Sequence, residues 1–162
     1  MRFVLPVIAG LLLSASAIRA QEASRQVVAL AFMTGTCDRL SQDSKALAVC
    51  KGVLPNFRYS DGRENFTFVQ EDHDSQFAVA FSGNRHGETV RADGATVRPI
   101  DMVVIGSADE MTGIDATGEC FFTDPAKGKA VISCTAQTER GLFSGQFTTD
   151  GKAPDVTEMP QP

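Results

Sequence analysis

A few residue groups in this chain have types and spacings that could do chemistry. Glu71-Asp72-His73-Asp74 sets three carboxylates and an imidazole side by side. Carboxylate oxygens suit calcium, and carboxylates with histidine suit zinc. A calcium loop also needs a turn glycine and a closing glutamate. Phe77 stands where that glycine belongs and no glutamate ends the run, so Glu71, Asp72, His73 and Asp74 form only a weak metal candidate. The bland reading is a solvated turn between strands that end near Val69 and resume near Phe77.

The second histidine, His86, lies in Ser82-Gly83-Asn84-Arg85-His86-Gly87. A serine close to a histidine is the raw material of nucleophilic hydrolysis, but the segment reads as an exposed loop. Glu64, Glu71, Glu88, Glu110, Glu119 and Glu139 offer carboxylates for glycosidic cleavage, which needs a particular separation that sequence does not supply. No phosphate-binding glycine loop, His-Glu-x-x-His, Gly-x-Ser-x-Gly or Cys-x-x-Cys is present. No catalytic residue and no cofactor are therefore expected.

The four cysteines are Cys37, Cys50, Cys120 and Cys134. Their chemistry depends on compartment. Arg2, the apolar run Phe3–Leu13 and the small residues Ser14 to Ala17 follow the order of a secretory signal. The run is well short of the roughly 20 apolar residues that span a membrane. Cleavage fits after Ala17 or Ala20, with Ala20 preferred. Removing residues 1–20 takes away Arg2 and Arg19, leaving 13 basic against 20 acidic residues, a net charge of −7. The expected location is periplasmic or extracellular, where thiols oxidise. Acidity argues against nucleic acid as partner, and no membrane span remains after signal removal.

Hairpin signals must position whatever the chain carries. Phe57–Phe68 contains Asp61-Gly62, a dipeptide that favours a type I′ turn and would set Phe57 opposite Phe66. Asp93-Gly94 repeats the device and would set Val90 opposite Val97. Phe77-Ala78-Val79-Ala80-Phe81 alternates large and small residues with the strand period. Further strands are expected at Met102–Ile105, Thr117–Thr123, Lys129–Thr138 and Leu142–Thr148, while Gln21–Phe32 reads equally as strand or short helix. A loop at Ala126-Lys127-Gly128 would place Cys120 opposite Cys134, and Phe122 opposite Ile132. Cys37 and Cys50 are centred on Asp43-Ser44. The preferred pairing is thus Cys37–Cys50 with Cys120–Cys134. The sequon Asn65-Phe66-Thr67 falls inside a strand and is discounted.

The expected fold is all-β: a small antiparallel barrel or sandwich of about eight to ten strands, stapled by two disulfides. The expected organisation is a signal peptide at 1–20, one β domain at 21–149 and a flexible, proline-containing tail at 150–162. The phenylalanines are read as core rather than as a ligand cage. The leading functional reading is an exported, non-catalytic binding protein with a small apolar ligand. The alternative is an acidic envelope domain that meets or inhibits a basic protein, and the third is a hydrolase without an identifiable site.

Overall fold

The computed structural model describes residues 25–47, 49–70, 77–107 and 109–160. The expected signal peptide and the Glu71–Asp74 cation candidate lie outside those residues. Among the described residues, no helix is long and apolar enough to cross a membrane.

The elements are β1 (Val27–Gln42), β2 (Lys45–Ala46), β3 (Val53–Tyr59), β4 (Arg63–Val69), β5 (Phe77–Asn84), β6 (Thr89–Val90), β7 (Thr96–Ser107), β8 (Glu110–Phe122), β9 (Val131–Thr138), β10 (Gly141–Thr149) and β11 (Asp155–Glu158). Long strands pair antiparallel with their neighbours in sequence, and β10 returns to β1. The result is a closed eight-stranded barrel, with β2, β6 and β11 as additions. A barrel, not a sandwich, is the outcome, and closure removes the free edges an open meander would expose. The ambiguous segment resolves as strand: β1 pairs with β3 through residues 27–34 and with β10 through 35–42.

Period-two patterning decides which side chains turn inward. On β5 the inward set is Phe77, Val79 and Phe81, with the alanines on the opposite face, where Ala80 is nevertheless covered. Leu54, Phe68, Val79, Phe81, Val103, Ile132, Phe143 and Phe147 are each at most 2% exposed. They belong to one contiguous cluster. Gly145 on β10 makes room for it, since a Cβ there would sit 2.7 Å from the Phe68 ring. Phe68 in turn meets Phe81 edge-to-face at 5.7 Å. The interior phenylalanines pack on one another.

Both expected disulfides are present. Cys120 and Cys134 are directly opposed, as are Phe122 and Ile132. The connection between them is longer than expected. It is built around a 3-10 turn, Pro125–Lys127, whose first residue needs no N–H and whose cap Asp124 accepts from Ala126 N. Cys37 and Cys50 flank a hairpin at Asp43-Ser44, both of which have positive φ (49° and 65°). That is the paired left-handed geometry of a type I′ turn.

The two Asp-Gly turns depart from expectation. Gly62 (φ 81°) and Gly94 (φ 83°) have positive φ, whereas Asp61 and Asp93 do not. Gly62 N donates to Tyr59 O at 3.0 Å and Gly94 N to Arg91 O at 2.9 Å. Each loop is a type I turn with glycine in the bulge, one residue longer than type I′. Asn56 rather than Phe57 therefore opposes Phe66, and Thr89 rather than Val90 opposes Val97. Phe57 consequently faces outward. The tail is corrected too: β11 pairs with Ala29–Phe32 of β1, so residues 155–158 extend the wall.

Candidate functional site

One end of the barrel carries the turn 60–62, the 85–95 connection with β6, the long β8–β9 loop and the segment between β10 and β11. We call it the rim. Strand parity turns Glu64, Phe66, Arg98 and Cys120 inward beneath it, and Phe122 stands at its mouth. Arg98 is only 3% exposed. Its guanidinium lies between the rings of Phe66 and Phe122, 5.1 and 5.0 Å from their centroids. Nη2 donates to Glu64 Oε2 at 2.9 Å, and Nε donates to Glu88 Oε1 at 2.7 Å. Arg85 adds a second cation 3.4 Å from Glu64. A buried charge must be paired and bonded to be tolerated, and this one is neutralised by two carboxylates and stacked on two rings. Nη1 is buried without a hydrogen-bond partner. The cluster is a charged plug under the rim.

Outside the plug, the rim bears a groove of ≈350 Å³ lined by Ala95, Phe121, Phe122, Val131 and the charged residues Arg91, Asp93 and Lys129. Phe121 (41% exposed) and Val131 (42%) point outward along its wall, and Val90 (73%) stands on the neighbouring β6. Phe122 joins the two features, with one face on Arg98 and an edge in the groove. A second groove, also ≈350 Å³, lies beside it and is lined by Thr34, Thr36, Thr148, Lys129 and Asp150, with glycines 35 and 52. The Lys152 backbone N–H and the Thr34 hydroxyl hold the Asp150 carboxyl below the usual carboxylate range.

A wider cleft of ≈610 Å³ lies at the turn 60–62, between Tyr59, Asp61, His86 and Glu158. Its carboxylates are occupied: Asp61 pairs with Arg25, and Glu158 with Arg58, both at 2.7 Å. Desolvation works against the ionised Asp61. The Arg63 N–H and the Arg25 guanidinium outweigh it and hold the carboxyl below its ordinary value.

The chemistry candidates are scattered. His86 is exposed, and its backbone N–H donates to the cap Asn84. Ser82 is buried on β5 with its Oγ on Arg63 Nη1 at 3.2 Å. Glu64 and Glu88 do come together, but as partners of Arg98 rather than across a cleft. Glu110 and Glu139 lie at the opposite end, and Glu119 is exposed near the rim end of β8, beside Cys120. Asn65 of the sequon is buried, its Oδ1 accepting from Phe57 N. No cluster of three or more histidines, cysteines or acids suited to a metal occurs among the described residues.

The chain has no match. Neither a family model, nor a curated protein, nor a solved structure resembles it. The expected register already puts Phe121 on the face away from the cysteines, but reading the phenylalanines as core makes sequence reasoning miss the rim groove.

Proposed function

We propose that this is an exported, non-catalytic binding protein that takes a small apolar ligand on the rim of the barrel. One observation carries the reading: the interior is filled by its own side chains, yet Phe121 and Val131 remain exposed along one groove. Fully burying such a side chain is worth about 1.5–3 kcal/mol; Phe121 and Val131 are already more than half covered, so roughly 1 kcal/mol each is left for a ligand to recover. A volume of ≈350 Å³ falls in the range of small-molecule pockets. The two disulfides agree with an oxidising compartment.

The test uses the uncharged fluorescent probe Nile red with the oxidised mature chain. Wild type should bind it, and Phe121→Ser should lose most of that binding. Phe121 is partly covered on β8, so the substitution should cost roughly 1–2 kcal/mol of stability, and a matching urea titration confirms that the variant stays folded. Equal binding by the two proteins would reject the groove.

A further inference from the structure

We propose that the two rim grooves are halves of one site that meet at Lys129, and that the site takes a free anionic amphiphile. Its apolar portion would lie along Phe121 and Val131, with its carboxylate at the Lys129 ammonium. This rests on the binding reading above and names the class of ligand.

Lys129 lines both grooves. The surface changes character beside it, because Val131 on β9 is directly paired with Thr148 on β10. Thr148 is in turn paired with Thr36 on β1. Within about 5 Å, the spacing between strands, an apolar wall gives way to a hydroxyl-bearing one. An amphiphile has the same division along its own length.

Charge complementarity supplies the sign. The chain carries a net charge of −5, but the carboxylates of these grooves already have partners. Asp93 accepts from Ala95 N and pairs with Arg91. Asp150 accepts from the Thr34 hydroxyl at 2.8 Å and pairs with Lys152 at 3.1 Å. Asp38 is not in the lining of either groove; it accepts from the Thr148 hydroxyl at 2.6 Å, a neutral donor that leaves the negative charge in place. Lys127 is paired with Asp124. Lys129 has no salt-bridge partner among the described residues, so the cation at the joint is open to an incoming anion.

Its base is fixed as well. Ala130 N donates to Thr149 Oγ1, and Thr149 N to Ala130 O, both at 2.8 Å. Less ordering is then left to be met when a ligand binds.

The test compares decanoate with decanol, which differ in the charged head, below the concentration at which decanoate forms micelles. Binding is followed by calorimetry and by amide chemical shifts of the oxidised mature chain. Decanoate should bind about fivefold more tightly than decanol, the upper end for an exposed charge pair. Shifts should appear at Phe121 and Val131 with both ligands, and at Thr36 and Thr148 with decanoate. Lys129→Met should abolish the preference while leaving decanol affinity unchanged, and Lys45→Met, on exposed β2 at the opposite end of the barrel, should leave the preference intact.

Equal affinity for the two ligands, with shifts confined to the Phe121 groove, would overturn the role of Lys129 and leave the binding reading standing. Absence of shifts with either ligand would overturn both. Recovery of the protein with phosphatidylglycerol vesicles in a flotation assay would overturn the free amphiphile in favour of a membrane surface.

Discussion

At the level of single residues, Arg98 is where this chain takes its greatest electrostatic risk. Sequence shows an arginine between Val97 and Pro99, with nothing to say that it faces inward. The direction follows from the register of β7 against β8, which places Arg98 opposite Cys120. Once inside, the guanidinium is tolerable only because Glu64, Glu88 and two phenyl rings surround it. Removing one partner of a buried pair costs about 3–5 kcal/mol, since the other charge is left uncompensated. Arg98→Ala should therefore lower unfolding free energy by that amount in urea titrations. Adding Glu64→Gln to Arg98→Ala should cost less than the two single changes summed, because the partners are coupled. A loss below about 1 kcal/mol for Arg98→Ala would show that the charge is solvated after all.

At the level of elements, turn chemistry set the limits of what sequence could show. The alternation in β5 and the cysteine spacings gave correct faces and pairings, because period and loop symmetry are local properties. The Asp-Gly dipeptides misled by one residue. Asp61 and Asp93 each accept a hydrogen bond from the backbone N–H two residues on, a local bond that favours an ordinary turn with glycine in the bulge. The type I′ geometry went instead to Asp43-Ser44, which lacks glycine. The C-terminal strand escaped notice for a different reason. Asp155-Val156-Thr157-Glu158 is too short and polar to announce itself, and it exists because β10 leaves the first residues of β1 uncovered.

That dependence can be tested. Met159 N donates to Val28 O, and antiparallel pairs alternate in which residues exchange bonds. By the same parity, the amides of Leu30 and Phe32 face β11. A chain ending at Pro154 should lose a few ladder bonds at about 1 kcal/mol net each. It should show fast hydrogen exchange at Leu30 and Phe32 and normal protection at Ala31, whose amide faces β3. It should also self-associate on size exclusion, because the bared edge is apolar and lacks a guard. Unchanged protection at Leu30 and Phe32 would mean that β11 contributes nothing to the wall.

At the level of the whole molecule, the barrel depends on a closure made by distant parts of the chain. β1 and β10 pair across most of the sequence, and chain ends that far apart lose much entropy when they meet. Cys37 sits in that seam, opposite Phe147, and its bridge to Cys50 ties the seam to the segment entering β3. Cys120–Cys134 locks the β8–β9 hairpin on the inward face. The sequence separations are 13 and 14 residues, worth roughly 3 kcal/mol each in the chain-entropy model. Domains of this size hold only about 5–15 kcal/mol in total, so losing both bridges would consume much or all of the stability. The reduced mature chain should accordingly unfold at far lower denaturant, or fail to fold, while the oxidised chain shows one cooperative transition. Cys37→Ala with Cys50→Ala should remove about half of the effect and leave the β8–β9 staple in place. A reduced chain within about 1 kcal/mol of the oxidised one would break the link between this fold and an oxidising compartment, and the proposal of export would lose its structural support.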